Sequence, residues 1–383
     1  MLKCDVLVVG AGPAGSSAAR AAALNGANVI LIEKKRRPGK VACGEAISSY
    51  LLPYLPIRIP RRQLLWKTRG IRFYSEGIKI EKIGKGWETF SIDRKKFDFW
   101  LAKEAIKKGV KLITNAELIK LKHESFHVKK AFIKRRKKII EIRPRVLIAA
   151  DGAESTTLKL LNLYKPKKYD IARIYSWEMH NLKLENPYME QIYIGDYSDG
   201  GYAYIFPKSK NVANVGVGSV KRKNLKVCFE KFLELDLVKK QLKNGKKIIE
   251  RSGKSLINSF LTKIVYGNIL VVGDAAAQNL KPYDEGILPA MICGDICGRI
   301  AALHLKKGIS LNSYENEINK KFGKFFKESK KITKVIYDLF SLRSKKKYLL
   351  LLALVSNLFS SKKIKIMKKD DYKEVKKCLN AMS

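Results

Sequence analysis

Apolar and polar residues follow three rhythms along this chain. The first is a short apolar run bounded by turn residues, seen at Asp5 to Val9, Val29 to Ile32, Val146 to Ala150 and Asn268 to Val272. Runs of this length without alternation read as strands buried on both faces, the pattern of a parallel sheet. After the first run, Ala18, Ala19, Ala22 and Ala23 predict a helix packed close on that sheet. The second rhythm has a period of two. From Ala172 to Val220, IARIYSWEMH, MEQIYIG, GYAYIFPK and VANVGVGSV read as an antiparallel sheet, continuing through about Ile264. The third is helical and lysine-rich, from Leu303 to Lys347. It leads into YLLLLALVSNLF, flanked by KKK and KKIKIMKK. That apolar stretch is shorter than the roughly 20 residues a spanning helix needs. It is expected either as a buried helix capping the second sheet or as a helix lying in a membrane interface.

Between these regions, Asp93 near the start and Gly109 at the end bracket a predicted helix. KKAFIKRRKKII reads as a hairpin with a solvated basic turn. The fold class is therefore α/β, α+β overall. The expected parts are a Rossmann-like domain from residues 1–165 with 266–305, including an inserted segment near 50–92, an antiparallel-sheet domain at 166–265, and C-terminal helices at 306–383.

The turn after the first strand is Gly10-Ala11-Gly12-Pro13-Ala14-Gly15. Gly10 permits the tight turn, Gly12 lets backbone approach a pyrophosphate, and Gly15 lets helix and strand pack closely. The helix N-terminus offers free N–H groups to phosphate. Glu33 ends the second strand, where a carboxylate accepts from ribose hydroxyls, and Lys34 follows it. Strand, glycines, helix, strand and acid in this order make a dinucleotide site the expectation. Two later strands end in acids, at Asp151-Gly152 and at Gly273-Asp274, and Gly286-Ile287 opens another helix.

Charge narrows the partners. The 383 residues carry 78 Lys and Arg against 35 Asp and Glu, a formal net charge of +43. Such a surface attracts an anionic membrane or an acidic protein, although lysine-rich chains also arise in thermophiles without any such partner. The basic residues are spread out and accompany no nucleic-acid module, so no nucleic acid is expected. Cys4, Cys43, Cys228, Cys293, Cys297 and Cys378 form no CxxC pair, and the histidines have no ligand spacing. Neither metal nor disulfide framework is expected, and the compartment read is a reducing cytoplasm. The N-terminus runs directly into a strand without a signal-peptide pattern.

The glycine turn, the Asp151 and Asp274 strand ends and the segments between them resemble the FAD-dependent oxidoreductases of the glutathione-reductase/p-hydroxybenzoate-hydroxylase fold. Within that group the chain is similar to the geranylgeranyl reductase family, over about residues 1 to 305. VACGEAI, Val41 to Ile47, matches the family's PVRCGEGI-like segment. GYAYIFPKSKNVANVGVG matches its aromatic segment before a Gly-x-Gly strand, with Tyr204 where tryptophan is common. GDAAAQNLKPYDEGI matches its late FAD motif, with Ala277 in place of a glycine and a turn at Pro282 to Ile287 one residue shorter than the family's PLTGGGI.

The resemblance implies FAD, held by Gly10, Gly12, Pro13, Ala14, Gly15, Glu33, Lys34, Cys43, Gly44, Arg94, Asp151, Gly273, Asp274, Gly286 and Ile287. It implies a substrate wall of Tyr202, Tyr204 and Phe206. The implied activity is saturation of C=C bonds in a polyprenyl, geranylgeranyl lipid, with Cys43, Tyr202 or a water as the proton source. A free cysteine is as readily a small buried space-filler. Electrons would come from NAD(P)H or from an acidic ferredoxin drawn to the basic surface. Localisation would be cytoplasmic, peripheral on the inner membrane face. Two alternatives stand beside this: a flavin monooxygenase of the same fold, and a non-catalytic protein that binds FAD and lipid at a membrane.

Overall fold

The strand Leu2–Val9 is apolar on both faces because both faces are covered. In this computed structural model, which describes residues 1–259 and 261–358, it lies parallel between Lys138–Ala149 and Val29–Glu33. Among the described residues its sheet has eight strands. The main order is Val265–Tyr266, Ile269–Val271, Lys138–Ala149, Leu2–Val9, Val29–Glu33, Lys111–Thr114, and Ala116–Glu124 and His127–Arg135 extend it as antiparallel strands. Val6, Val8 and Ile148 pack on one face against Ala18, Ala22 and Ile296, while Leu7, Ile32 and Ala149 pack on the other against Leu118, Ile133 and Leu158.

The alanines of the first helix, Pro13–Leu24, serve a second contact besides the sheet. A β-carbon at Gly298, on the helix Ile287–Lys307, would stand 1.9 Å from the Ala18 carbonyl oxygen, and one at Gly294 would stand 2.3 Å from that of Ala14. The two helices therefore meet backbone to backbone. Ile287–Lys307 is long and apolar enough to cross a membrane, but most of it is buried in this core. The basic hairpin turns at Arg136 and Lys137, both exposed. Asp93 caps the helix Arg94–Ile106, accepting from the Lys96 N–H at 3.1 Å.

The second sheet has seven strands among the described residues, in the order Lys246–Leu256, Ile171–His180, Ala213–Ser219, Gly201–Pro207, Met189–Tyr193, Gly70–Ser75, Ile78–Ile83. This corrects two expectations. Residues 70–83, assigned to an insertion in the dinucleotide domain, belong to this sheet. The sheet is not purely antiparallel, because Gly70–Ser75 runs parallel to Met189–Tyr193. Such a pairing joins segments more than a hundred residues apart, which local pattern does not reveal. The last strand ends at Leu256, short of Ile264, and two helices, Leu225–Leu233 and Asp236–Leu242, interrupt the run of strands. A small sheet of Ala46–Ser48, Thr89–Ser91 and Trp66–Thr68 completes the set.

The C-terminal region forms the helices Ser313–Ser341 and Lys346–Val355. Tyr348 to Leu354 are buried, packed with Ile71, Phe73, Ile192 and Tyr204 of the second sheet. Of the two expectations for this segment, the buried cap is the one formed. Lys347 is buried beside it and pairs with Asp199 at 2.9 Å. Phe359 and the flanking KKIKIMKK lie outside the described residues.

Candidate functional site

One cavity of about 950 Å³ runs from the glycine turn to the C-terminal helices. At its first end stand Gly10, Gly12, Pro13 and Ala14. Gly10 has φ of +100°, and a β-carbon there would lie 2.5 Å from the Ala150 carbonyl oxygen, so the turn admits no side chain. Around Gly12 a β-carbon would meet nothing within 4 Å, and no side chain caps the helix that follows. Its free N–H groups therefore face open space, as a bound phosphate requires. Glu33 and Lys34 continue the wall. Glu33 is fixed by the Ala11 N–H at 3.0 Å and the Lys35 N–H at 2.9 Å. These residues fit the adenosine half of FAD.

Three expected cofactor residues act less directly. Gly15 stands behind the turn, where a β-carbon would sit 1.8 Å from the Gly10 carbonyl oxygen. Gly273 packs on Ala14, with a β-carbon 2.7 Å from that of Ala14. Asp151 reaches the cavity wall, but its carboxylate accepts from Ser155 Oγ at 2.6 Å and from the Thr157 N–H at 2.8 Å, holding the start of the next helix. Asp274, Gly286 and Ile287 line the cavity. Burial, reinforced by nearby Asp284 and opposed by Lys281, pushes the Asp274 carboxyl up to about 6. The shortened turn closes through an antiparallel bridge, in which the Leu280 N–H donates to the Glu285 carbonyl at 2.8 Å and the Glu285 N–H returns to Leu280 at 3.1 Å.

Cys43 and Gly44 lie where the cavity passes from the first sheet to the second. The Glu45 N–H donates to Cys43 Sγ at 3.3 Å. Burial raises the thiol's pKa, and the Arg94 guanidinium opposes the rise. Arg94 is itself buried and grips Asp98 with two bonds of 2.7 and 2.8 Å. Burial works against its charge, and Asp98 more than offsets that.

Sequence reasoning assigned nothing to the next residue, Glu45, which anchors the loop. It holds a φ of +59° and is buried. Its carboxylate receives the Arg94 N–H at 3.0 Å, Asn214 Nδ2 at 2.9 Å and the buried Lys208 ammonium at 2.5 Å. Lys208 also bonds Glu178 at 2.8 Å, and Arg251 reaches Glu178 at 3.3 Å. This polar knot ties the cofactor loop to the second sheet.

Beyond the loop, Tyr202, Tyr204 and Phe206 form the expected aromatic wall. Tyr204 stacks on Phe206 with ring centroids 4.6 Å apart, and Tyr202 donates to the Tyr283 carbonyl at 2.9 Å. Burial holds both tyrosine hydroxyls above the usual range. Trp177 and Tyr193, aromatic residues of the same sheet, point the other way and pack with Phe229 and Phe232 under the helices of residues 225–242. The far cavity is apolar, walled by Ile192, Ile194, Ile332, Ile336, Phe340 and Leu351. Glu190 and Glu285 enter this wall as well. The first could have been found by period: residues 190, 192 and 194 share one strand face, and an acid there breaks an isoleucine stripe.

Two family models match the chain: an FAD dependent oxidoreductase domain over residues 5–153 and a geranylgeranyl reductase catalytic domain over residues 170–255. The digeranylgeranylglycerophospholipid reductase of Methanocaldococcus jannaschii is 35% identical over 333 residues, 85% of this chain and 82% of the relative. That of Thermoplasma acidophilum is 31% identical over 85% of this chain and 83% of its own length. The crystal structure of a geranylgeranyl bacteriochlorophyll reductase-like protein from Thermoplasma acidophilum superposes with a TM-score of 0.83 at 27% identity, covering 98% of this chain and 96% of that one. A myxobacterial FAD-dependent halogenase, at 16% identity and a TM-score of 0.69, shares the fold. With the glycine cradle, the aromatic wall and the apolar cavity in one continuous space, the chain belongs to the geranylgeranyl reductase family of FAD-dependent oxidoreductases.

Proposed function

We propose that this protein saturates C=C bonds in the prenyl chains of a geranylgeranyl glycerophospholipid, using reduced FAD. The observation that carries the reading is the continuity of the cavity from the dinucleotide cradle to the apolar pocket under the C-terminal helices. The digeranylgeranylglycerophospholipid reductases among its relatives support the substrate class. When bound and reduced, FAD supplies hydride to one alkene carbon.

The chain's own residues supply the rest. The aromatic wall and isoleucines exclude water and hold an extended prenyl chain against the cofactor end. Gly44 leaves room for Phe206 to reach the loop, since a β-carbon there would collide with its ring. Cys43 faces the junction and contacts whatever lies between the two ends.

The helix Ser313–Ser341 favours an anionic membrane as the place of work. It lends Ile332, Ile336 and Phe340 to the cavity. Its outer face exposes Lys320, Lys324, Lys327, Lys331 and Lys334, with Phe325 standing 56% exposed among them. Lysines beside an exposed ring suit a lipid surface, at about 1 kcal/mol per basic residue. The same charge would receive an acidic ferredoxin as electron donor, with NAD(P)H the other source.

The test is an anaerobic single turnover. The flavoprotein is reduced with dithionite and mixed with digeranylgeranylglycerophospholipid in anionic vesicles. Flavin reoxidation together with hydrogens gained by the lipid is the expected result. A flavin that stays reduced in the presence of lipid, yet reoxidises with oxygen and inserts it into the lipid, would replace the reductase with a monooxygenase.

A further inference from the structure

Lys281 pairs with Asp284 in the cavity wall at 2.7 Å, but two further carboxyl groups there, Glu190 and Glu285, have no cation paired with them among the described residues. Glu190 lies on the cavity face of Met189–Tyr193, in line with Ile192 and Ile194, and is 4% exposed. Its hydrogen bond comes from Thr89 Oγ1, at 2.5 Å. Glu285 is held by the Ser48 N–H at 3.1 Å and Ser48 Oγ at 2.6 Å through one oxygen, while the other oxygen is shielded from solvent and has no partner. Ser48 and Thr89 are directly opposed in the small sheet, so the two acids hang from neighbouring residues of one ladder.

Beside Glu285 the Leu288 N–H, in the first turn of the helix Ile287–Lys307, favours the charged form, but among the described residues no ammonium or guanidinium pairs with either acid. Around Glu190 and Glu285 stand Thr89, Ser48, and the titratable Tyr50, Tyr202 and Asp284. Burial and the nearby Glu285 charge both disfavour the ionised form of Glu190, while Ser48 and the Leu288 N–H favour that of Glu285. A neutral carboxylic acid is therefore kept inside the pocket that takes the alkene. Burial, with Glu285 adding to it and the Thr89 bond opposing it, pushes Glu190 up to about 7. Cys43 and Tyr202 face the same junction, but burial makes each a weaker acid than the free side chain.

We propose that Glu190 is the proton donor for alkene saturation and that Glu285 is the positioning residue that keeps it protonated. The inference rests on the reductase reading above. In the step, the Glu190 O–H bond breaks and its proton forms a C–H bond at one carbon of the double bond. The π pair makes that bond, and reduced FAD would supply hydride, with its own electron pair, for the C–H bond at the other carbon. The lipid gains two electrons and two hydrogens, the cofactor is oxidised, and the Glu190 carboxylate regains its proton from solvent. Ser48 and Tyr50 line the same cavity.

The test combines a spectroscopic titration with single turnovers on purified FAD-bound wild type and the variants Glu190→Gln, Glu285→Gln and Cys43→Ser. Glutamine keeps the Thr89 contact and removes the proton. An infrared pH titration without lipid should show a carboxylic-acid stretch disappearing near neutral pH in wild type and missing in Glu190→Gln. With lipid, Glu190→Gln should bind FAD normally and reoxidise about 100-fold more slowly or worse, the range of a lost general acid. The wild-type rate should fall as pH rises through about 7, and Glu285→Gln should move that limb to lower pH. Undiminished turnover in Glu190→Gln, or loss of turnover in Cys43→Ser alone, would overturn the assignment. A wild type that never reduces the lipid would sink the reductase reading instead, and the lipid-free titration would still report whether Glu190 holds a proton.

Discussion

Gly44 lies flat against Phe206: a β-carbon at position 44 would stand 2.7 Å from Phe206 Cδ2 and 2.8 Å from Cε2. The cofactor loop and the second sheet thus touch through a missing side chain on one and an aromatic face on the other. The Phe206 ring cannot retreat freely, because it stacks on Tyr204 at 4.6 Å.

Gly44→Ala should therefore push the aromatic wall out of register. FAD content should persist, since the glycine cradle is remote, while lipid turnover falls at least about 10-fold through misplacement of the reacting carbon. Adding Phe206→Leu should restore part of the loss. Absorbance of bound flavin and mass spectrometry of the lipid measure the two effects. Unchanged turnover in Gly44→Ala would show that the contact does not position substrate.

Lys208→Met should cost about 3–5 kcal/mol, because it leaves the buried Glu45 carboxylate without its ammonium partner. Denaturant unfolding of both proteins gives the number. The same ammonium also sets an acid-side slope through Glu178. Burial pushes Glu178 up, but Lys208 and Arg251 outweigh it and hold the carboxyl at about 2, below its ordinary 4.5. A depressed carboxylate stabilises the fold above its ordinary value and loses that contribution as pH falls toward the folded value. Wild type should lose stability across this window, and Lys208→Met should lose less.

Glu190 has the opposite sign. Its folded value of about 7 lies above the ordinary 4.5, so the fold binds its proton more tightly than the unfolded chain does. Stability from this group is complete below 4.5 and lost as pH climbs through 7, amounting to about 3 kcal/mol in all. Glu190→Gln should be the more stable protein on the alkaline side, with the advantage vanishing in mild acid. Parallel unfolding curves for the two at every pH would refute the burial of an uncompensated acid.

Ile336→Trp should fill the far cavity, where Ile336 stands with Phe340 and Leu351. Geranylgeranyl lipid turnover should fall at least about 10-fold, while a lipid with shorter prenyl chains keeps most of its rate. Equal losses with both lipids would mean that the chain does not extend under the C-terminal helices.

The cofactor half of the molecule was legible in the linear chain because its signals are local. Gly10, Gly12 and Glu33 act through backbone geometry and one strand end, all within a single βαβ unit. The aromatic wall was half legible. Tyr202, Tyr204 and Phe206 share a strand face by period two, but nothing local says that Trp177 and Tyr193 look the other way. Residues 70–83 were misassigned because their partner, Met189–Tyr193, is remote and parallel.

What the sequence determined by itself is thus the dinucleotide cradle, the presence of two sheets and the apolar C-terminal segment, since each depends on short-range spacing. Tertiary structure decided the rest. It buried Tyr348 to Leu354 against the second sheet rather than leaving them for a membrane. It brought Glu45, Lys208, Glu178 and Arg251 into one knot. It hung Glu190 and Glu285 from facing residues of one small sheet. Charge states follow the same division: a carboxyl's pKa depends on burial and on which charges surround it, and only the folded chain sets those.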